Sequence, residues 1–465
     1  MTGDSRLTSL RKEIETTTSE IISLVGKRLS LVQEVAEEKA KQGIPLVNRD
    51  VERHLQQEVV EACNANSLDS KFGLRLLNQL IAESIRVQRQ TQTTDSHPTV
   101  ADIFARARRK DSAGEQILHL EVGEPDFGPP NQATKMLKKS LRKGNVGYTQ
   151  AQGILPLRSR IADIFTRRHS RNISPDEVII TVGGRLAIFL ALSSIVQTGD
   201  EVIIIRPSYP AYSKFVTKAG GRPVSLWSSL DESWNPDMDA LENLINPTTR
   251  AIILNTPSNP TGKVLNEATV EGIVHLANEN DLFVISDEVY SKFTRFPHTS
   301  ILEFPGCTHI CVQSFSKTYG MTGFRLGFAI SNSETVNAMA DLQSLLVTSV
   351  PEFVQHSGIG ALDSEDDVKQ NVEVIESRRR VMTDLLEELP LSFYAPDGGF
   401  YLFPRFQNEE LNGSEFAERL LVESGVSIVP GAIYGRRYSS FFRIALCQEK
   451  QVLIEAAQRI GEMLE

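Results

Sequence analysis

Cysteine is scarce in this sequence. Cys63, Cys307, Cys311 and Cys447 are the only four, no two are spaced as Cys-x-x-Cys, and no histidine cluster stands beside them. No metal site is therefore expected, and the thiols read as reduced core side chains. A basic excess is missing too: 49 lysines and arginines stand against 59 acidic residues, a formal charge of −10. That argues against a nucleic-acid surface, which needs a basic stripe, and leaves small anionic substrates open. No stretch approaches the roughly 20 apolar residues of a membrane span, and residues 1–10 lack an apolar signal core, so no membrane partner is expected and the cytoplasm is the expected compartment. What is present is a globular balance, 40% hydrophobic and 23% charged, over 465 residues. Such a length calls for two or three domains.

Glycine and proline are nearly absent from the periodic runs up to about Gln92 and frequent afterwards, which places a domain boundary there. The polar segment Gln90-Thr-Gln-Thr-Thr-Asp-Ser-His-Pro98 reads as a linker, centred on residues 93–98. Before it, Leu7, Leu10, Ile14, Ile21, Leu24, Leu31 and Val35 recur in a heptad-like pattern and predict a helix over residues 5–41. At 1.5 Å per residue it would run roughly 55 Å. A domain of about 90 residues cannot cover so long a stripe, so the helix is expected to pack against its copy in a homodimer or higher homo-oligomer. A second helix after Pro45 carries Val51, Leu55, Val59 and Ala62, and a third over residues 69–90 buries Leu77, Ile81 and Ile85. After the linker, β-rich runs such as Val178-Ile-Ile-Thr181, Glu201-Val-Ile-Ile-Ile205, Ala251-Ile-Ile-Leu254 and Leu282-Phe-Val-Ile-Ser286 alternate with helical stretches. This is the pattern of an α/β domain with a mostly parallel sheet, whose ligands sit at the carboxyl ends of the strands.

Polar residues interrupt the apolar faces of the helical part. Arg28 sits in the same heptad frame as Leu7, Ile14, Ile21 and Val35, where an unpaired charge would be costly. Lys39, eleven residues on, lies close to the same face. Asn48 and Glu52 form an i, i+4 pair on the second helix, and Ser84 and Gln88 another on the third. Together with Leu10-Arg11-Lys12-Glu13-Ile14, this set resembles the small all-α, three-helix chorismate mutases along residues 5–90. The resemblance implies that Arg28 and Arg11 of the partner chain bind the two carboxylates of chorismate, with Ser84 helping. It implies that Lys39 and Gln88 hydrogen-bond the ether oxygen, and that Glu52 and Asn48 hold the hydroxyl. Such a site works without covalent catalysis, by holding the dianion folded and stabilising charge on the breaking ether. Bacterial members often carry aspartate at the place of Asn48 and arginine at that of Val51.

The stretch Ser314-Phe-Ser-Lys-Thr-Tyr-Gly-Met-Thr-Gly-Phe-Arg-Leu-Gly327 is the strongest signal in the chain. It resembles the lysine region of fold-type I, pyridoxal 5′-phosphate (PLP)-dependent aminotransferases. In family order there follow resemblances at Glu121-Val-Gly-Glu-Pro-Asp-Phe127, Tyr148-Thr-Gln-Ala-Gln-Gly153, Asn255-Thr-Pro-Ser-Asn-Pro-Thr-Gly262, Asp287-Glu-Val-Tyr290 and Phe442-Arg443. Ser314-x-x-Lys317 alone also fits a β-lactamase motif, but the Ser-Asp-Asn and Lys-Thr-Gly partners are lacking. The resemblance implies that Lys317 binds the cofactor aldehyde and then moves a proton. Asp287 would keep the ring nitrogen protonated, Tyr290 and Asn259 would bond the ring oxygen, and Tyr209 would stack on the ring. Gly183-Gly184-Arg185, Ser314 and Ser316 would hold the phosphate with Arg325 as charge partner, and Tyr148 would reach the phosphate of the other subunit. Arg443 would clamp the substrate's α-carboxylate, and Gly123 would let the backbone approach it. The implied layout is a mutase domain over residues 1–92 and a transferase over 99–465. Its large domain would cover about 150–345, and a smaller α+β domain would form from 99–149 and 346–465.

The fusion points to a multifunctional enzyme of phenylalanine and tyrosine biosynthesis. It would convert chorismate to prephenate and aminate prephenate or an aromatic 2-oxo acid, with glutamate or aspartate as donor and Arg185 a candidate for the distal carboxylate. Two other readings stay open at this point: an aspartate or aromatic aminotransferase whose helices serve only dimerisation or regulation, and a PLP lyase of the same fold.

Overall fold

A computed structural model describes residues 3–42, 49–91, 99–169, 171–306, 308–408 and 410–465. Asn48, Cys307 and the expected linker at 93–98 lie outside the described residues. The chain divides into two compact units, one built on the first helices and the other on the remaining chain.

The first unit holds α1 (Gly3–Gln42), α2 (Arg49–Ala65) and α3 (Ser70–Thr91). Inside α1 the run Thr16-Thr-Thr-Ser19 is unfavourable for a helix, yet each hydroxyl donates to the carbonyl four residues back, at 3.0, 2.9, 2.7 and 3.0 Å. The hydroxyls are thereby satisfied within the helix, at a slight cost in helix stability. α3 packs on both α1 and α2 and buries Leu74, Leu77, Ile81 and Val87. The close approach of α2 and α3 needs Gly73, because a Cβ there would lie 2.2 Å from Cys63 Sγ.

The inward face of α1 differs from the expected one. Val25, Arg28, Leu29, Val32, Ala36 and Lys39 are buried or half-buried, whereas Leu7, Leu10, Ile14, Ile21, Leu24, Leu31 and Val35 are exposed, Ile14 at 66% and Leu24 at 67%. Among the described residues of this unit, α1 packs on α3, and α2 and α3 are both far shorter than α1, so a long apolar stripe of α1 stays exposed. Val51 and Ala62 are likewise exposed, and Glu52 and Cys63 take the buried positions of α2.

The second unit is organised by a seven-stranded sheet. Its strands are β1 (Val178–Thr181), β2 (Glu201–Arg206), β3 (Arg222–Trp227), β4 (Thr249–Asn255), β5 (Phe283–Asp287), β6 (Thr308–Ser314) and β7 (Gly327–Ile330). The spatial order is β1-β7-β6-β5-β4-β2-β3, and only β7 runs antiparallel to its neighbours. The continuous apolar runs arise because both faces are covered. Ile252 and Leu254 join one core with Ile203 and Val284, while Ala251 and Ile253 point to the other with Val202, Ile204 and Ile285. A second, aromatic core around Phe400, Phe406, Phe442 and Ile444 underlies short pairings of Leu118–His119 with Val426–Ser427 and of Phe442–Ala445 with Tyr401–Leu402 and Val429–Pro430. Arg443 belongs to one of these smaller sheets and Gly123 to the loop after Leu118–His119, so the expectation that the site lies at the carboxyl ends of the main sheet holds only in part. Cys63, Cys311 and Cys447 are free and buried. Among the described residues no helix is long and apolar enough to cross a membrane, and no group of acidic, histidine or cysteine side chains could hold a metal.

At Gly327 an added Cβ would meet Gly183 C and Gly184 N, both at 2.6 Å. Gly327→Ala is expected to cost about 1–3 kcal/mol by forcing β7 away from the β1 turn. Urea unfolding of the purified variant checks this; wild-type stability would show that the turn can yield.

Candidate active sites

In the helical unit, Arg28 Nη1 donates to Ser84 Oγ at 2.5 Å and to Leu80 O at 3.1 Å, which ties α1 to α3 through polar groups. Burial pushes the Arg28 guanidinium below its ordinary pKa. Glu52, Ser84 and Gln88 are buried and Lys39 is half-buried, so all three helices turn hydrogen-bonding groups inward. Arg11 is exposed and lies seventeen residues before Arg28, roughly 25 Å along the helix. It cannot share a site with Arg28 of its own chain. Asn48 lies outside the described residues.

The second site gathers where β4, β5 and β6 end. Asp287, the last residue of β5, faces Asn255 of β4 in register. Asn255 Nδ2 donates to Asp287 O at 2.8 Å, and Asn255 Oδ1 accepts from Asn259 N at 2.8 Å, which fixes the loop Asn255-Thr-Pro-Ser-Asn259. Arg443 Nη1 then donates to Asn259 Oδ1 at 3.2 Å and Nη2 to Glu121 O. Lys317, in the short helix Phe315–Thr318 after β6, donates from Nζ to Gly123 O at 2.7 Å. Gly123 has to be glycine, since a Cβ would stand 1.8 Å from Tyr401 Oη. Tyr401 Oη is 3.2 Å from Tyr290 Oη, and the Arg443 guanidinium lies 4.4 Å from the Tyr401 ring centre. Lys317, Asp287, Tyr290, Asn259, Arg443 and Gly123 are thus linked within one cleft.

The turn after β1 forms its wall. Gly183 has φ +79° and caps the helix Gly184–Ile195; a Cβ on it would lie 2.6 Å from Arg325 Nη2, and one on Gly184 would lie 3.6 Å from Ser314 Cβ. Ser314 Oγ accepts from Ser316 N at 3.1 Å. Arg185 is exposed in the first turn of that helix, its guanidinium 5.8 Å from the Tyr209 ring centre. Tyr148 is 90% exposed and touches none of these groups, so this chain does not bring it to its own cleft.

Sequence reasoning missed three contributors. Tyr212 donates from Oη to Asp287 Oδ2 at 2.5 Å. Its spacing of three from Tyr209 across a helix start, which sets the two rings edge to face at 5.6 Å, was the available signal. Asn255 opens a motif already singled out, and its place at a strand end beside Asp287 could have marked it. Tyr401 gave no signal, because only the fold reveals its contact with Gly123.

The electrostatics concern charges buried without ionic partners. Asp287 is buried and has no ion pair among the described residues; burial pushes its carboxyl up to about 6 from the ordinary 3.8, against the opposing bond from Tyr212. Burial lowers the pKa of Lys317. Arg443 is also buried without a carboxylate among the described residues, and its Nε has no hydrogen-bond partner. Burial raises the pKa of Tyr212, Tyr290 and Tyr401, so their hydroxyls stay protonated donors.

Comparison with known proteins gives two family matches, "Aminotransferase class I and II" over residues 115–460 and "Chorismate mutase type II" over residues 10–89. The chain is 35% identical over 370 residues to a (5-formylfuran-3-yl)methyl phosphate transaminase of Methanocaldococcus jannaschii, covering 78% of this chain and 96% of the relative. It is 34% identical over 358 residues to aromatic-amino-acid aminotransferase 2 of Thermococcus litoralis, 75% and 92% respectively. The crystal structure of an aspartate aminotransferase from Thermotoga maritima superposes with a TM-score of 0.75 at 32% identity, covering 78% of this chain and 96% of that one.

Asp287 binds its proton more tightly folded than unfolded, so between about pH 4 and about pH 6 the folded state holds the extra proton. Stability of the ligand-free protein therefore falls as pH rises through that window, by about 3 kcal/mol in all. Asp287→Asn is expected to remove this slope and to make the ligand-free protein more stable at pH 8. Equal denaturation midpoints for the two proteins at pH 4.5 and pH 8 would contradict it.

Proposed function

Because the chain belongs to the class I and II aminotransferases and carries a type II chorismate mutase domain ahead of that fold, we propose that it performs consecutive steps of phenylalanine and tyrosine biosynthesis. The family matches make it an isomerase and a transferase. In our reading, residues 1–92 convert chorismate to prephenate, 93–98 link, and 99–465 aminate prephenate, or an aromatic 2-oxo acid derived from it, with glutamate or aspartate as donor. The observation that carries this reading is the covalent pairing of the two domains, since the product of the first is a 2-oxo acid suited to the second. Relatives named for aspartate and for aromatic amino acids support a pocket that takes both acidic and aromatic partners.

For the mutase, Arg28 and Ser84 bind a carboxylate of the folded dianion, and Arg11 of a second copy binds the other. Lys39 and Gln88 face the ether oxygen, and Glu52 and Asn48 hold the hydroxyl. Charge stabilisation that grows in the transition state is the only catalysis this reaction requires.

For the transferase, PLP fits the residues present: the buried Asp287 carboxylate without an ion pair among the described residues, a glycine-lined helix start beside Arg325, and the Lys317 amine after β6. When bound, PLP supplies an aldehyde for the amino group and a protonated ring that takes up the electrons of the broken Cα–H bond. Asp287, fixed by Tyr212, holds the proton on the ring nitrogen. Asn259 and Tyr290 bond the ring oxygen, and Tyr209 covers the ring face. Gly184, Arg185, Ser314, Ser316 and Arg325 hold the phosphate, joined by Tyr148 of a second copy. Arg443 holds the substrate α-carboxylate. Lys317 Nζ, whose proton affinity burial lowers, would hold the cofactor aldehyde and serve as the base for the proton at the substrate Cα. Arg185 is the candidate for a distal carboxylate.

The test is a single incubation of purified protein with chorismate, glutamate and PLP. Arogenate is expected; phenylpyruvate amination without any arogenate would sink the prephenate assignment. Lys317→Ala should abolish transamination and leave the rearrangement intact, whereas Arg28→Ala should lower mutase turnover by about 10²–10³-fold and spare transamination. Arginine-free turnover equal to wild type would reduce the helical unit to a dimerisation or regulatory module.

A further inference from the structure

Away from the cleft, residues 293–295 and the helix Glu365–Glu387 enclose a cavity of ≈ 360 Å³. Three arginines line it and converge on one carboxylate. Arg380 Nε donates to Glu376 Oε1 at 3.3 Å, Arg295 Nε lies 3.5 Å from the same oxygen, and Arg379 Nη1 donates to Oε2. Glu376 is the one carboxylate that lines the cavity against three guanidiniums, and although Asp397 nearby also acts on Arg379, the concavity keeps a positive surplus. One such pair on a helix surface would be ordinary salt bridging; the surplus and the burial of one member are not. Arg379 is 3% exposed and its Nε has no partner among the described residues, although it lines the cavity. Arg295 and Arg380 keep exposed side chains that can fold over a ligand.

Arg379 also joins two segments of the active site. Its Nη2 donates to Gly399 O at 2.7 Å and to Phe293 O at 3.3 Å, and Gly399 N donates to Phe293 O at 2.7 Å. The Phe293 and Tyr290 rings both meet Phe400 edge to face, at 5.6 and 5.1 Å, and Tyr401 follows directly with its hydroxyl on that of Tyr290. The guanidinium that an anion would engage is therefore the one that staples the Tyr290 and Tyr401 segments together.

We propose that this cavity binds a small doubly charged oxyanion, a phosphate or a dicarboxylate, and that its occupancy is transmitted to the active site through Arg379. The dianion bridges Arg295 and Arg380 and shares Arg379 with Glu376. The test titrates the PLP-loaded protein calorimetrically with inorganic phosphate and, separately, with malonate. Binding on the order of 1 mM is expected for at least one probe, and the responding probe names the source. The double substitution Arg295→Gln with Arg380→Gln, on exposed side chains that folding does not require, should weaken it at least about tenfold. A saturating dose should change the KM for glutamate about fivefold in the wild type and not in the double variant. Absence of binding, or binding that the double variant retains in a background where Arg443→Gln removes the substrate-carboxylate site, overturns the site. Binding that leaves KM unmoved marks an adventitious ion only and overturns the effector role.

Discussion

The second unit is organised around opposite charges that are buried in one cleft and kept from neutralising each other. Asp287 and Arg443 are both nearly inaccessible, yet the amides of Asn255 and Asn259 stand between them as a ladder of neutral hydrogen bonds. Left alone, each ion costs several kcal/mol in lost hydration. The doubly covered sheet offsets that expense with continuous apolar strands such as Ala251-Ile-Ile-Leu254.

The helical unit meets a related problem with softer means. Its cations line the inner face of α1, where Arg28 gives up water for Ser84 and the Leu80 carbonyl. Its inward polar groups are spread over three helices, Glu52, Ser84 and Gln88 buried and Arg28 and Lys39 half-buried. In the second unit it is burial that lowers the proton affinity of the Lys317 amine, just beyond the end of β6.

Much of this was legible in the sequence. Lys317, Asp287, Asn259 and Arg443 sit in motifs whose residue types follow from the chemistry, and the strand runs were bounded to within two residues because continuous β-branched segments have few alternatives. The face of α1 was read one residue off: heptad counting follows the most apolar stripe, and in a single chain that stripe is the uncovered one. Tyr401 was invisible, because its role depends on a contact with a residue almost 280 positions away. The exposure of Tyr148 agrees with its expected service to a second copy, an assignment that came from the resemblance and not from composition.

One feature of the cleft has an evolutionary edge. The two cations, Arg443 and Lys317, both rest on peptide oxygens, those of Glu121 and Gly123, two positions apart on one extended segment. Every amino acid carries that oxygen, so no substitution can delete either acceptor. Selection can retune the pocket's side chains for new acids while the spacing of the cations stays written in the main chain.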